Sequence, residues 1–217
     1  MRFRQHALVT MALALAVSAA VPLSAAQAAT TVGLWHMDET SGTTAHDSSG
    51  HNNDGKLQNI QFTSGAFGFN GHNSRVLIGN SSSLNPGSAD ITISLKVKFS
   101  VKPSHSVHDY DLVRKGDGGS FYKIEITSDG KARCQFHGSS GDKGIVFGPS
   151  LANGQWHTIT CTKTGSRISG TADGASGSAG AHIGSISNGV PLSLGGKSSG
   201  SQDLYQGLMA EVKIVIG

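Results

Sequence analysis

The chain has 217 residues, of which 14% are charged and 30 are glycine. A soluble domain usually carries about 25% charged residues and ~7% glycine, so bundles and coiled coils, which need charged helix formers, are excluded. The 37% hydrophobic content is too high for wholesale disorder, and a formal net charge of +3 does not make a nucleic-acid-binding surface, which needs a concentrated basic patch.

In chain order, Arg2 and Arg4 precede an apolar run from Ala7 to Val21, and Ala26-Gln27-Ala28 supplies a small-x-small cleavage pattern. This predicts a secretory signal peptide over residues 1–28. Pro22 interrupts the run, which is short for a membrane span of ~20 residues. The mature chain, 29–217, then has 15 basic against 14 acidic residues, a net charge of +1. It is expected outside the cell, with no nucleic-acid partner and no stable membrane insertion. In an oxidising compartment an even cysteine count favours a disulfide, and Cys134–Cys161 is the one pairing available. The alternative is two buried free thiols.

Strand patterns follow almost everywhere. Ile91, Ile93, Leu95, Val97, Phe99 and Val101 alternate with Thr92, Ser94, Lys96, Lys98 and Ser100, a half-buried strand with its lysines outward. Tyr122, Ile124 and Ile126 alternate next. Asp129-Gly130 then turns the chain into Ala132, Cys134 and Phe136, which predicts a β-hairpin. Further strands are expected at Trp156–Thr162, Val190–Leu194 and Leu208–Ile216. Gly-Ser-Asn clusters separate them, and no apolar period near 3.6 is sustained between caps. The reading is a single all-β domain, a two-sheet antiparallel jelly-roll sandwich.

Several segments carry a resemblance. Trp35-His36-Met37-Asp38-Glu39-Thr40-Ser41-Gly42, then Asp47-Ser48-Ser49-Gly50 and Asn52-Asn53-Asp54-Gly55, resemble the opening of bacterial laminin-G-like, concanavalin A-like jelly-roll domains. Phe69-Asn70-Gly71, Ile91-Thr92-Ile93-Ser94, Leu112-Val113-Arg114-Lys115-Gly116, Asn153-Gly154-Gln155-Trp156-His157 and Gly207-Leu208-Met209-Ala210-Glu211-Val212-Lys213-Ile214 continue it in order. The resemblance implies two curved antiparallel sheets, a lectin-like topology, and frequent binding of calcium and glycans. It does not imply one activity. It also implies that Trp156 is a core anchor, like Trp35 in the first strand. Where family members commonly carry an acidic residue, this chain has Ala210. The remaining calcium ligands are Asp38, Asp47, Asn53, Asp54 and Glu211, for a structural ion that takes six to eight oxygens. Asp and Asn in Gly-rich turns also bond their own backbone, and the two readings compete here.

Catalytic patterns are weak. Gly196-Lys197-Ser198-Ser199-Gly200 matches GxSxG, but no helix is suggested after it and the last histidine, His182, lies upstream. Glycosidases need two closely placed carboxylates. The three glutamates, Glu39, Glu125 and Glu211, begin no Glu-x-Asp-x-x-Glu run, although an unrelated pair could still form in three dimensions. The histidines, including His46, His51, His105 and His108, are scattered in loops without a zinc-ligand pattern. For sugar stacking, Tyr110 in the Lys102–Asp111 loop and Tyr205 in the Ser198–Gln206 loop are the candidates, with Asp109, Arg114, Gln202 and Asp203 as polar partners. Lys96 and Lys98 would suit an acidic glycan. The expected function is a secreted, non-catalytic, lectin-like module for extracellular or cell-wall glycans. The alternatives are an adhesion protein that binds another extracellular protein and, less favoured, a glycoside hydrolase.

Overall fold

The computed structural model describes residue 1, residues 28–104 and residues 108–217. The expected signal segment, apart from its two end residues, and His105 lie outside these. Among the described residues no helix is long and apolar enough to cross a membrane.

The strands are β1 (Thr30–Trp35), β2 (Thr44–Ala45), β3 (Gly55–Gln58), β4 (Gln61–Thr63), β5 (Ala66–Asn70), β6 (Arg75–Ile78), β7 (Ile91–Lys98) and β8 (Asp109–Lys115). They continue as β9 (Phe121–Thr127), β10 (Ala132–Gly138), β11 (Gly141–Phe147), β12 (Trp156–Lys163), β13 (Arg167–Ala172), β14 (Ala175–Gly180), β15 (Leu192–Leu194) and β16 (Gln206–Ile216). One short 3-10 turn, Ser82–Leu84, joins them. Sheet I runs β14-β13-β12-β7-β16-β5-β4, with β1 also paired to β16, and sheet II runs β11-β10-β9-β8-β15-β6-β3-β2. All of these pairs are antiparallel. The result is the expected all-β sandwich.

Strand β7 is the centre of sheet I, between β12 and β16. Ile91, Ile93, Leu95 and Val97 are buried in the core while Lys96 stands exposed, as period-two alternation requires. The pattern outlasts the strand: the ladder ends at the Trp156–Lys98 pair, so Phe99 still reaches the core but Val101 is exposed. The Asp129-Gly130 hairpin forms as expected between β9 and β10. Gly130 sits at φ +85° and donates its N–H to Thr127 O at 2.8 Å, a backbone state that favours glycine.

The two inner faces close one core, with Trp35, Met37, Phe67, Tyr122, Phe136 and Tyr205 wholly buried. Buried polar tips find partners, as burial demands. Trp35 Nε1 donates to Asn53 O at 2.9 Å and the Tyr122 hydroxyl to Leu84 O at 3.1 Å. Two charged lysines cap backbone carbonyls inside: Lys115 Nζ on Val190 O at 2.9 Å and Lys163 Nζ on Ala89 O at 2.8 Å.

Cys134 on β10 and Cys161 on β12 are bridged, with Cα atoms 5.7 Å apart, inside the ~4.4–6.8 Å window of bridge geometry. Because β10 belongs to sheet II and β12 to sheet I, the bond pins the two sheets through the core. Gly170, paired with Cys161, makes room: a Cβ there would meet Phe147 Cε1 at 2.3 Å and Cys134 Sγ at 2.8 Å. A loop of 27 positions gives about 3.5 kcal/mol in the chain-entropy account. Cys134→Ser/Cys161→Ser is therefore expected to lower the urea unfolding free energy by roughly 2–4 kcal/mol. An unchanged midpoint would remove the bridge from the stability of the fold.

Candidate functional site

The outward face of sheet I holds the most open chemistry. On β12, Ile159 and Cys161 point into the core, so Trp156, Thr158 and Thr160 take the opposite parity. Trp156 is 43% exposed, which corrects its reading as a core anchor. Register sets its neighbours: Trp156 lies beside Lys98, which lies beside Leu208, and the next row is Thr158, Lys96, Ala210. Trp156, Thr158, Lys96 and Ala210, with Ser64, Gly65 and Glu211, border a groove of about 400 Å³, while Lys98 and Leu208 border a separate depression. A smaller depression of about 190 Å³ shares Lys96, Thr158 and Glu211 and adds Ser94 and Lys213.

Glu211 enters this face through a bulge. The register of β16 on β7 shifts between Ala210 and Lys213, and Glu211 has φ +53°. The extra residue lets Met209 and then Val212 and Ile214 all point into the core, which regular alternation would forbid. The Glu211 carboxylate faces His36 Nδ1 at 3.1 Å across the sheet, with both side chains nearly half exposed.

The two tyrosines expected as sugar platforms are core residues. Tyr110 is 5% exposed and Tyr205 is wholly buried. Asp109-Tyr110-Asp111 opens β8 rather than ending a loop, so Tyr110 takes the inward parity. The Tyr205 ring packs edge-on against Phe99 and Tyr110, at 6.0 and 5.7 Å between centroids, and its hydroxyl donates to Leu208 O at 3.0 Å. Their expected polar partners do gather, on the outward side of sheet II, as an ion-pair network. Arg114 meets Asp111 at 3.2 Å and Asp117 at 2.9 Å, Lys197 meets Asp203 at 2.5 Å, and Glu125 is flanked by Lys123 and Arg133. Gln202 is exposed beside them. Here a carboxylate group invisible to the sequence forms: oxygens of Asp109, Asp111 and Glu125 lie within 4.8 Å of one another. Asp111 and Glu125 are fully shielded from solvent and set against Arg114, Lys123 and Arg133.

The calcium candidates divide. Asp47 Oδ1 accepts from Leu34 N and Ser49 N, both at 2.9 Å, while Oδ2 accepts from Ser49 Oγ at 2.8 Å and Asn53 N at 2.9 Å. Burial alone would raise its pKa, but these donors together hold it below the usual carboxylate value. Asp54 accepts from Asp47 N at 2.8 Å, and the Asn53 side chain is tied to Val32 O at 2.7 Å. Asp38 is exposed, and Glu211 stands with His36. Among the described residues, no three of Asp38, Asp47, Asp54 and Glu211 bring carboxylate oxygens within 4.8 Å of one another. Asp47 and Asn53 are engaged as turn formers. Asp47→Ala, which strands three backbone donors, is expected to cost roughly 2–4 kcal/mol equally in calcium and in chelator. A loss confined to calcium-loaded protein would favour the ion.

Burial, then the charges of Glu125, Asp203 and Asp111, push Asp109 up to about 7. Asp111 is also raised to about 7, by burial and Glu125 against the pull of Arg114. Carboxyl groups raised in the fold contribute stability that is full below their unfolded pKa of ~3.9 and is lost as pH rises through about 7. Urea unfolding is therefore expected to give a lower free energy at pH 8 than at pH 5.5. Asp109→Asn should recover ~1 kcal/mol at pH 8, after discounting for its partial exposure, and little at pH 5. Equal stabilities at the two pH values would refute this account.

Comparison with known proteins follows the same outline. A family model for the concanavalin A-like lectin/glucanases superfamily matches residues 69–215. No curated protein sequence matches. Among solved structures, the binding domain of Paraclostridial Mosquitocidal Protein 1 aligns with a TM-score of 0.70 at 19% identity, over 85% of this chain and 48% of that one. Domain 4 of AbnA, an extracellular arabinanase of Geobacillus stearothermophilus solved with arabinotriose, aligns at 0.65 and 15%, over 87% and 93%. The binding domain of Botulinum neurotoxin DC, in complex with SialylT, aligns at 0.62 and 13%, over 85% and 47%. The chain thus spans about half the length of the two toxin structures. By the family match and by this architecture, the chain belongs to the concanavalin A-like lectin/glucanase superfamily.

Proposed function

We propose that this protein is a secreted, non-catalytic glycan-binding module whose site is the groove beside Trp156. The observation that carries the reading is Trp156 itself, a large aromatic side chain left 43% exposed at the border of a groove of about 400 Å³. Leaving an indole in water forgoes hydrophobic stabilisation, and a sugar ring laid on its face recovers that while its hydroxyls meet polar neighbours. Thr158, Glu211, Ser64 and Lys96 supply those neighbours. Two structures of similar fold were solved with saccharide-type ligands, arabinotriose and SialylT, which supports the reading for this fold. The export pattern at Ala26-Gln27-Ala28 supports an extracellular setting. The non-catalytic reading rests on the carboxylate group of sheet II, whose Asp111 and Glu125 are shielded and charge-paired.

A glycan array on the secreted protein should return reproducible hits. Against the best hit, Trp156→Ala should bind at least tenfold more weakly, a loss of ~1.4 kcal/mol or more, with an unchanged melting temperature. Parent-like affinity in that variant would move the site elsewhere. A silent array together with one specific protein partner would favour the adhesion alternative.

A further inference from the structure

The sheet I face has a charge pattern that the glycan reading does not require. Lys98 and Lys96 are successive outward residues of β7, and Lys213 is paired with Ser94 in the next row of the same face. Rows two residues apart lie ~6.8 Å from one another and neighbouring strands ~4.8 Å, so the three lysines follow one another along this face one row apart: Lys96 borders the groove, Lys213 the smaller depression that shares Lys96, and Lys98 a separate depression with Leu208. Among the described residues none of the three forms an ion pair. The one carboxylate bordering the groove, Glu211, faces His36. The opposite outward face behaves differently, since Lys123, Arg114, Arg133 and Lys197 are each set against a carboxylate. The cations of sheet I are thus left without internal counter-charge, beside an exposed indole.

Resting on the groove reading above, we propose that the ligand is an anionic polysaccharide, with a carboxylate or sulfate on successive sugars held by Lys98, Lys96 and Lys213 while one ring stacks on Trp156. The chain as a whole carries a net charge of only +3, so a general attraction to polyanions does not produce the same result. Polyion binding releases counterions, which makes affinity fall as salt rises.

The test is calorimetric titration of the secreted protein with a polyuronate, a sulfated glycan, a neutral glucan of similar length and inorganic polyphosphate, at two salt concentrations. The expected result is binding of the polyuronate or the sulfated glycan, weakened by salt, and at least tenfold weaker binding of the glucan and of polyphosphate. Lys96→Gln/Lys98→Gln/Lys213→Gln should lose the anionic ligand at least thirtyfold and keep its melting temperature, while Lys143→Gln, on β11 of sheet II, should bind like the parent. Which of the two anionic glycans binds distinguishes carboxylate from sulfate. Salt-independent, Trp156-dependent binding of the neutral glucan at equal strength would overturn the anionic preference and leave the groove reading standing. Equal binding of polyphosphate with no effect of Trp156→Ala would overturn both, as would anionic-glycan binding that survives the triple variant and Trp156→Ala.

Discussion

Strict alternation on β7 is the constraint from which the rest of the molecule follows. This strand lies between β12 and β16, and its residues 91, 93, 95 and 97 fill the centre of the core. A slip of one residue would put Lys96 and Lys98 into that core and expose four aliphatic side chains, at a cost no neighbouring contact could offset. Fixing β7 fixes the parity of both neighbours. Trp156 and Thr158 must then face outward on one side, and Ala210 and Lys213 on the other. The groove is a consequence of the core.

The disulfide secures the same arrangement from within. Cys161 is paired with Ile93 of β7, and its bond to Cys134 crosses to sheet II. Gly170 and Phe147 pack around the sulfur, so the bridge occupies space that a methyl group would close. The loop after β15 is tied down by backbone acceptors as well as by the packing of Leu204 and Tyr205. Arg75 donates to Lys197 O at 2.8 Å and to Gly200 O at 2.7 Å, so the GxSxG-like segment is a fastened turn with no helix behind it. Ser198 in that segment donates to Asp117 at 3.1 Å.

The two outward faces divide the charge. Sheet II sets Asp109, Asp111, Asp117, Glu125 and Asp203 against Arg114, Lys123, Arg133 and Lys197, and it holds Asp109 and Asp111 at raised pKa. Sheet I keeps its lysines free beside an aromatic ring. A face whose cations are mostly set against carboxylates offers an anionic ligand little, whereas an uncompensated row of positive charge beside an apolar platform has both attraction and contact area to give. On this asymmetry rests the proposed placement of the binding surface on sheet I.

Much of this was legible from residue order alone. Alternation in residues 91–99 places the lysines outward, the Asp129-Gly130 turn predicts its hairpin, and two cysteines behind an export pattern predict their bond, because each depends on local periodicity or on a count. The parity of Ile159 and Cys161 also implies that Trp156 points outward, and the parity of Asp109 and Asp111 implies that Tyr110 points inward; reading the first as an anchor and the second as a loop residue overlooked signals that were present. The apolar spacing of Met209, Val212 and Ile214, three residues and then two, marks the bulge at Glu211. Tertiary structure alone decided the remainder. Asp109, Asp111 and Glu125 converge only when β8 pairs with β9, Asp47 becomes a turn clamp only once Leu34 and Asn53 fold against it, and Lys213 joins Lys96 only through the bulged register of β16. Convergence across strands distant in sequence is set by packing, and a linear pattern carries no record of it.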